Sequence, residues 1–448
     1  MEPLKKQLKK LTIPIFMEIA LVMLVGFVDT LMLSRYSDNA VAAVGLDNQI
    51  IALVFLVYQF VSMGAAIVCA QYHGAGLRKR LVQVVGIALV MNAVVGLVAS
   101  AVLYFHAEDI VRMMGLREEL VADGAAYLKI TGSLSFFQSL AFAFSASLRS
   151  VDRVKGPMIV TALANAVNAV GDYVLIFGHW GFPALGVTGA AWATAVSRIV
   201  VFVLIAAIHF KTHIPKFPLA WFRPFPWGEV RNILKIGFPA MGEELSYCLS
   251  QVTITYFVNK ISTNALVVRT YAVNCIMFVY LFCASITQGG DILVGHLVGR
   301  SRYTPAYLMG NYFLGRSMVI TLTCSVLLAL SGPWLFAALT KNPEIIHLGV
   351  IILWIDCVLE VGRVRNIFAC GTLRATGDAV YPLVVGLIFQ WGVAVGLGWL
   401  FAIPFGWGLV GAWIAFMLDE NLRGIVLSRR WHAKKWVGRS FAAGLQKS

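Results

Sequence analysis

A chain of 448 residues that is 59% hydrophobic and only 13% charged, with a mean hydropathy of +0.79, is too apolar to be a soluble protein, which carries about 25% charged residues. The net charge of +14 suggests nucleic acid until its distribution is read, for the cations collect at the ends of apolar runs. That placement marks membrane topology and excludes a nucleic-acid footprint.

Twelve apolar runs follow one another at about 11–34, 42–72, 82–105, 125–147, 156–178, 186–210, 233–259, 265–298, 307–331, 346–372, 379–402 and 408–428. Most are long enough for a helix to cross a hydrocarbon core, which takes about 20 residues. They are too long and too continuously apolar for barrel strands, and lipid satisfies no free backbone groups. The fold class is therefore all-α integral membrane.

Along the chain, Lys5, Lys6, Lys9 and Lys10 precede the first run, and no small-residue cleavage site follows it, so it reads as a retained span. Arg78, Lys79 and Arg80 follow the second run, and Arg149, Arg153 and Lys155 the fourth. The segment 211–232 is basic and rich in Pro and Trp, with Trp221 and Trp227 suited to the headgroup zone, and Arg429 to Arg439 add a basic tail. The opposite loops, 35–41, 179–185, 260–264 and 403–407, are nearly free of Lys and Arg, which places both termini in the cytoplasm.

The chain also contains itself twice. Pro14 recurs as Pro239, Glu18 as Glu243, Gly74 as Gly299, Leu148-Arg149 as Leu373-Arg374 and Pro157 as Pro382, all at an offset of 225. Two tandem hydrophobic units are the pattern of a transporter made of pseudo-symmetric halves, with a working cavity where they meet. The expected division is 1–210 for a first six-helix lobe, 211–232 for a cytoplasmic interfacial linker, and 233–448 for a second six-helix lobe with its basic tail. Pro14 and Pro239 lie in the first turns of their runs, where proline serves as a start signal; a hinge in the first helix is the alternative.

Acids inside spans carry the chemistry, because an ionisable group at a helix centre costs about 2.5–3.5 kcal/mol and needs water, a partner or a purpose. Asp29 lies two-thirds of the way through the first run. On the fifth, Asn165, Asn168 and Asp172 fall at i, i+3 and i+7, on one stripe. The positions 225 later than Asp29, Asn168 and Asp172 are Ile254, Val393 and Leu397, so the oxygen cluster exists in one half alone. Carboxylate and amide oxygens in one half indicate a cation site there. A structural hydrogen bond between Asp29 and the fifth helix is the competing reading.

In the second half, Glu360 and Arg363 stand at i, i+3 and pair locally, while Glu243 shares a structural role with its repeat mate Glu18. Glu244 is left as a contact for a cationic substrate, and Asn165 and Glu360 are further candidates for lining the substrate cavity. Asp291 lines the cavity or pairs with a base such as Arg316. Tyr256 and Phe278 are among the aromatics available to a flat, cationic, lipophilic ligand. The seven cysteines sit singly in apolar runs, and the histidines form no metalloprotease-type pair, so no metal enzyme is indicated.

The segments GFVDTLMLSRYSDNAVAAVGL, LRSVDRVKGPM, NAVGDYVLIFG, LGVTGAAWAT, LRATGDAVYP and GLVGAWIA, in this order and spacing, resemble those of a multidrug and toxic compound extrusion (MATE) transporter of the bacterial NorM/DinF kind. The resemblance covers nearly the whole chain. It implies twelve transmembrane helices in two lobes with alternating access, and export of organic compounds across the bacterial inner membrane in exchange for H+ or Na+, without a cofactor. It matches Asp29, Asn168 and Asp172 to the N-lobe cation site of one branch and Thr194 to the accompanying hydroxyl, a set that would hold a proton or sodium. The other branch places its site in the C-lobe, on helices 7 and 10; here those offer Glu243, Glu244, Asp356 and Glu360 with Arg363 and Arg365 nearby, in different registers.

The expectation is thus an antiporter that works as a monomer in the lipid bilayer on small organic substrates. A lipid-linked saccharide flippase of the same superfamily, an integral-membrane enzyme and a passive channel are the rivals. The first wants a strongly cationic cavity, the second clustered catalytic groups at one membrane face, and the third no ion gradient.

Overall fold

The computed structural model describes residues 2–443 and 445, and its described secondary structure is helical throughout. Helices α1 (Glu2–Tyr36), α2 (Asp38–Ala75), α3 (Arg78–Phe105), a short α4 (Ala107–Met113), α5 (Glu118–Ser133), α6 (Ser135–Ser150), α7 (Lys155–Phe177) and α8 (Val187–Thr212) come from the first repeat. The second contributes α9 (Trp227–Ile261), α10 (Thr263–Gly299), α11 (Tyr303–Leu339), α12 (Pro343–Ala375), α13 (Val380–Phe389), α14 (Gly398–Ala402) and α15 (Gly408–His432). Between α13 and α14 the chain runs as a π-helix, Gln390–Leu397.

All twelve apolar runs are helical, the fourth being α5 and α6 broken at Leu134, and the eleventh α13 through α14. Nine of the described helical stretches are long and apolar enough by themselves to span a membrane. The other three runs carry the exceptions that explain it: the break at Leu134, the charges Glu243 and Glu244 on α9, and Asp419, Glu420 and Arg423 on α15. Helix boundaries follow local chemistry. Ser37 and Ser262 cap α2 and α10 with side-chain oxygens, Asn342 caps α12 just before Pro343, and Gly76 closes α2 with a left-handed φ of 75°.

The prolines do not mark helix starts. Pro14 and Pro239 each lie well inside a 35-residue helix, because the basic segment before each apolar run is itself helical and continues the first turns backward.

The described chain forms two compact units, 17–237 and 1–16 with 238–448, so the chain passes from one to the other inside α1 and inside α9. In the first unit the start of α9 lies on α2, where a Cβ at Gly64 would stand 2.3 Å from the Ile233 carbonyl oxygen. In the second unit the start of α1 lies on α10, where a Cβ at Gly289 would stand 3.0 Å from the Thr12 hydroxyl. Gly64 and Gly289 are 225 apart, and at Gly64 only glycine lets the backbones come this near. Repeat-related ion pairs follow: Arg149 with Glu18 in the first unit, Arg374 with Glu243 in the second.

Candidate cation site and comparison with known proteins

The site is built by a register between two helices. Asn165 on α7 donates through Nδ2 to the Leu21 carbonyl of α1 at 2.7 Å. Seven residues further along α7 is Asp172, and eight further along α1 is Asp29, about 10–12 Å of helical rise in each case. Helices aligned at one rung and running the same way must therefore bring these two acids together, and both line one pocket. A hydrogen bond between two carboxyls needs a proton on one of them, since an ionised carboxylate only accepts.

Around the pair is a cavity of about 90 Å³, lined by Asp29, Thr30, Asn48, Tyr127, Asp172 and Thr194 among smaller apolar groups. The Tyr127 hydroxyl donates to Asn48 Oδ1 at 3.4 Å, and Thr194 shares the lining. One oxygen of each carboxyl has no partner among the described residues, leaving oxygen lone pairs directed into the space. A volume of this size holds a few waters or a small cation, whereas drug-sized ligands occupy about 300–1,000 Å³.

Asp29, Asp172 and Thr194 are thus gathered in one pocket, as the sequence leads one to expect. Asn168 is not in its lining; it sits one turn before Asp172, 4% exposed, with an amide nitrogen that has no partner among the described residues. The sequence reading names neither Tyr127 on α5 nor Asn48 on α2, although Asp47 stands directly before Asn48. It also passes over Arg198 on α8, one turn past Thr194, which donates to the Thr131 carbonyl at 3.0 Å and stacks over Phe55. The repeat holds that signal, for Arg198 recurs as Arg423. Asp47, fully buried on α2 with neither oxygen bonded among the described residues, answers to the same rule as Asp29 and was equally readable.

The second unit holds no copy of this site. Ile254 is buried in an apolar cluster with Phe257, Ala394 and Trp413. Its charged groups pair within α12 and within α15, with Asn366 of α12 donating to Glu420 of α15 at 2.8 Å. Arg363 pairs with Glu360 and lies 3.9 Å from Asp356, while Arg423 holds Asp419 at 2.6 Å and Glu420 at 3.0 Å.

The residues suggested for a substrate cavity are not gathered. Tyr256 lines a groove of about 430 Å³ with Gln251, Thr255 and Asn259, backed by Arg269, which donates to Gln251 and Thr255. Phe278 is 65% exposed elsewhere on α10, Glu244 is exposed on α9, and Asn165 is spent on the α1 backbone. Glu360 is wholly buried against Arg363. Asp291 lies against Gly371 of α12, at the place where a Cβ would stand 2.1 Å from its Oδ2.

The MatE family profile matches residues 14–174 and 239–400, two segments whose starts are 225 apart. The uncharacterized transporter YisQ of Bacillus subtilis (strain 168) is 38% identical over 96% of this chain and 95% of its own. A probable multidrug resistance protein NorM of Thermotoga maritima is 28% identical over 98% and 94%. Among solved structures, a MATE in the bent conformation superposes with a TM-score of 0.87 at 20% identity, over 96% of both chains, and so shares the fold. An outward-facing multidrug resistance MATE family transporter of the MOP superfamily gives 0.86 over the same shares. With both repeats matched in register, the chain belongs to the MATE family of multi-pass membrane transporters, twelve helices in two lobes.

Proposed function

We propose that the chain is a secondary antiporter that exports organic, lipophilic cations in exchange for H+, through the Asp29–Asp172 pair of the N-terminal lobe. The observation that carries this reading is two carboxyls, Asp172 buried and Asp29 half-buried, lining together a space too small for a drug. A proton shared between them cancels one negative charge in a medium where an isolated charge is costly. Loss of that proton leaves two like charges side by side on α1 and α7, so the two protonation states favour different packings of the pair. Sodium is the second reading, supported by the mixed set of carboxylate, amide and hydroxyl oxygens. The groove beside Tyr256, whose volume is that of a ligand pocket, is a surface for the organic substrate.

Dye export from proteoliposomes under separately imposed pH and sodium gradients tests the reading. The wild type is expected to respond to an inward proton gradient, and Asp29→Asn to fall to the liposome background while inserting normally. Unimpaired export by Asp29→Asn would remove the assignment, and export driven by sodium alone would move it to the second ion.

A further inference from the structure

The geometry points to the segment between α8 and α9 as a binding site for anionic phospholipid headgroups. Its observations are independent of the coupling site. Residues 213–226 join two membrane-embedded helices and are pinned on α3: the Phe222 ring tip stands 2.6 Å from where a Cβ of Gly86 would be, and Gln83 donates to the Trp221 carbonyl. The segment therefore stays at the end of its helices, at the level of the headgroups.

Its outer face is apolar at the centre. Leu219 is 78% exposed, Trp227 72% and Phe225 48%, and the Phe225 and Trp227 rings meet edge to face at 67°, centroids 4.8 Å apart, as a wedge. Around that wedge Lys211, Lys216, Arg223 and Arg231 are all exposed, with Arg78 and Lys79 on the neighbouring turn.

Charge is what separates this face from a generic interfacial anchor. The only acid between 211 and 232 is Glu229, and it is withdrawn from the surface, 1% exposed. It accepts from Arg80 at 2.6 Å, from the Tyr72 hydroxyl at 2.7 Å and from Asn232 at 3.2 Å. The one carboxylate that would repel phosphate is thus folded inward and neutralised, while every exposed ionised group of the segment is a cation. Apolar rings to enter the acyl boundary, and cations at the height of the phosphates, fit a lipid that carries net negative charge. A soluble acidic protein would leave Leu219 and Trp227 without a purpose.

Native mass spectrometry of the full chain in detergent, with phosphatidylglycerol or phosphatidylcholine added, tests the site without any transport step. A failed antiport assay therefore leaves this result standing, and the reverse also holds. The wild type is expected to retain phosphatidylglycerol in preference. The combined variant Lys211→Gln, Lys216→Gln, Arg223→Gln and Arg231→Gln is expected to lose that retention about tenfold, with phosphatidylcholine unaffected and Lys341→Gln, elsewhere on the surface, behaving as wild type. If the fourfold variant does not fold, the Lys216→Gln, Arg223→Gln pair and a photoactivatable anionic lipid, mapped to peptides 211–235, decide. Equal retention of both lipids by the wild type, equal phosphatidylglycerol retention by wild type and variant, or crosslinks confined to other helices would overturn the proposal. So would selective capture of an acidic protein with no lipid preference.

Discussion

Most buried acids of this protein have an arginine. Glu18 has Arg149, Glu229 has Arg80, Glu243 has Arg374, Glu360 has Arg363 and Asp378 has Arg430 and Arg439. Asp29 and Asp172 instead line one pocket together. The arginine pairs belong to stability. Glu243 and Arg374 are 10% and 16% exposed at their side chains, against 9% and 32% for Glu18 and Arg149. Removing one partner of a buried pair leaves an uncompensated charge at a cost of about 3–5 kcal/mol. Glu243→Gln should therefore lower the melting temperature in detergent markedly, and more than Glu18→Gln, where Arg149 still reaches water. The double variant Glu243→Gln, Arg374→Met should recover much of the loss; a double variant no better than the single would show that the charge was not the cause.

At the level of helices, close approach is the quantity to test. A methyl group at Gly64 would press on the backbone of the α9 start, whereas Gly315 on α11 has open space around its Cβ position. Gly64→Ala is expected to destabilise by more than about 1 kcal/mol, and Gly315→Ala to stabilise by about 0.5–1 kcal/mol through helix propensity alone. Opposite shifts in melting temperature check both; a neutral Gly64→Ala would mean that α2 and α9 part without cost. The helices themselves were legible, because a span needs length and apolarity and both are local. The register of α1 on α7 was legible in part, since Asn165, Asn168 and Asp172 announce a stripe but not what the stripe meets. Tyr127 and Asn48 were not legible at all: a tyrosine and an asparagine in apolar helices acquire meaning only from the helices that pack beside them. The true starts of α1 and α9 were hidden because polar turns, lysine-rich in α1 and Glu229 with Arg231 in α9, read as loops when apolarity is the criterion, although lysine, arginine and glutamate are good helix formers.

Across the whole chain, duplication supplied two frames, and the proposed coupling chemistry occupies one of them. The offset of 225 relates the glycine contacts, the arginine–glutamate pairs and Arg198 to Arg423, so these belong to the frame. The segment Asn165–Asp172 belongs to the other category, and its counterpart is Gln390–Leu397, the one π-helical stretch among the described residues. There Gln390 accepts from Ser246 instead of donating to a backbone carbonyl, as its counterpart Asn165 does. A π turn spaces its bonds at i to i+5, so it takes more residues per turn and successive side chains stand at narrower angles than on an α-helix. Writing Ile254→Asp, Val393→Asn and Leu397→Asp into an Asp29→Asn background should accordingly leave export silent in the liposome assay, and revived export would refute this. The twin thus differs in winding as well as in letters: copying the missing residues across would put the right spokes on a wheel of another pitch.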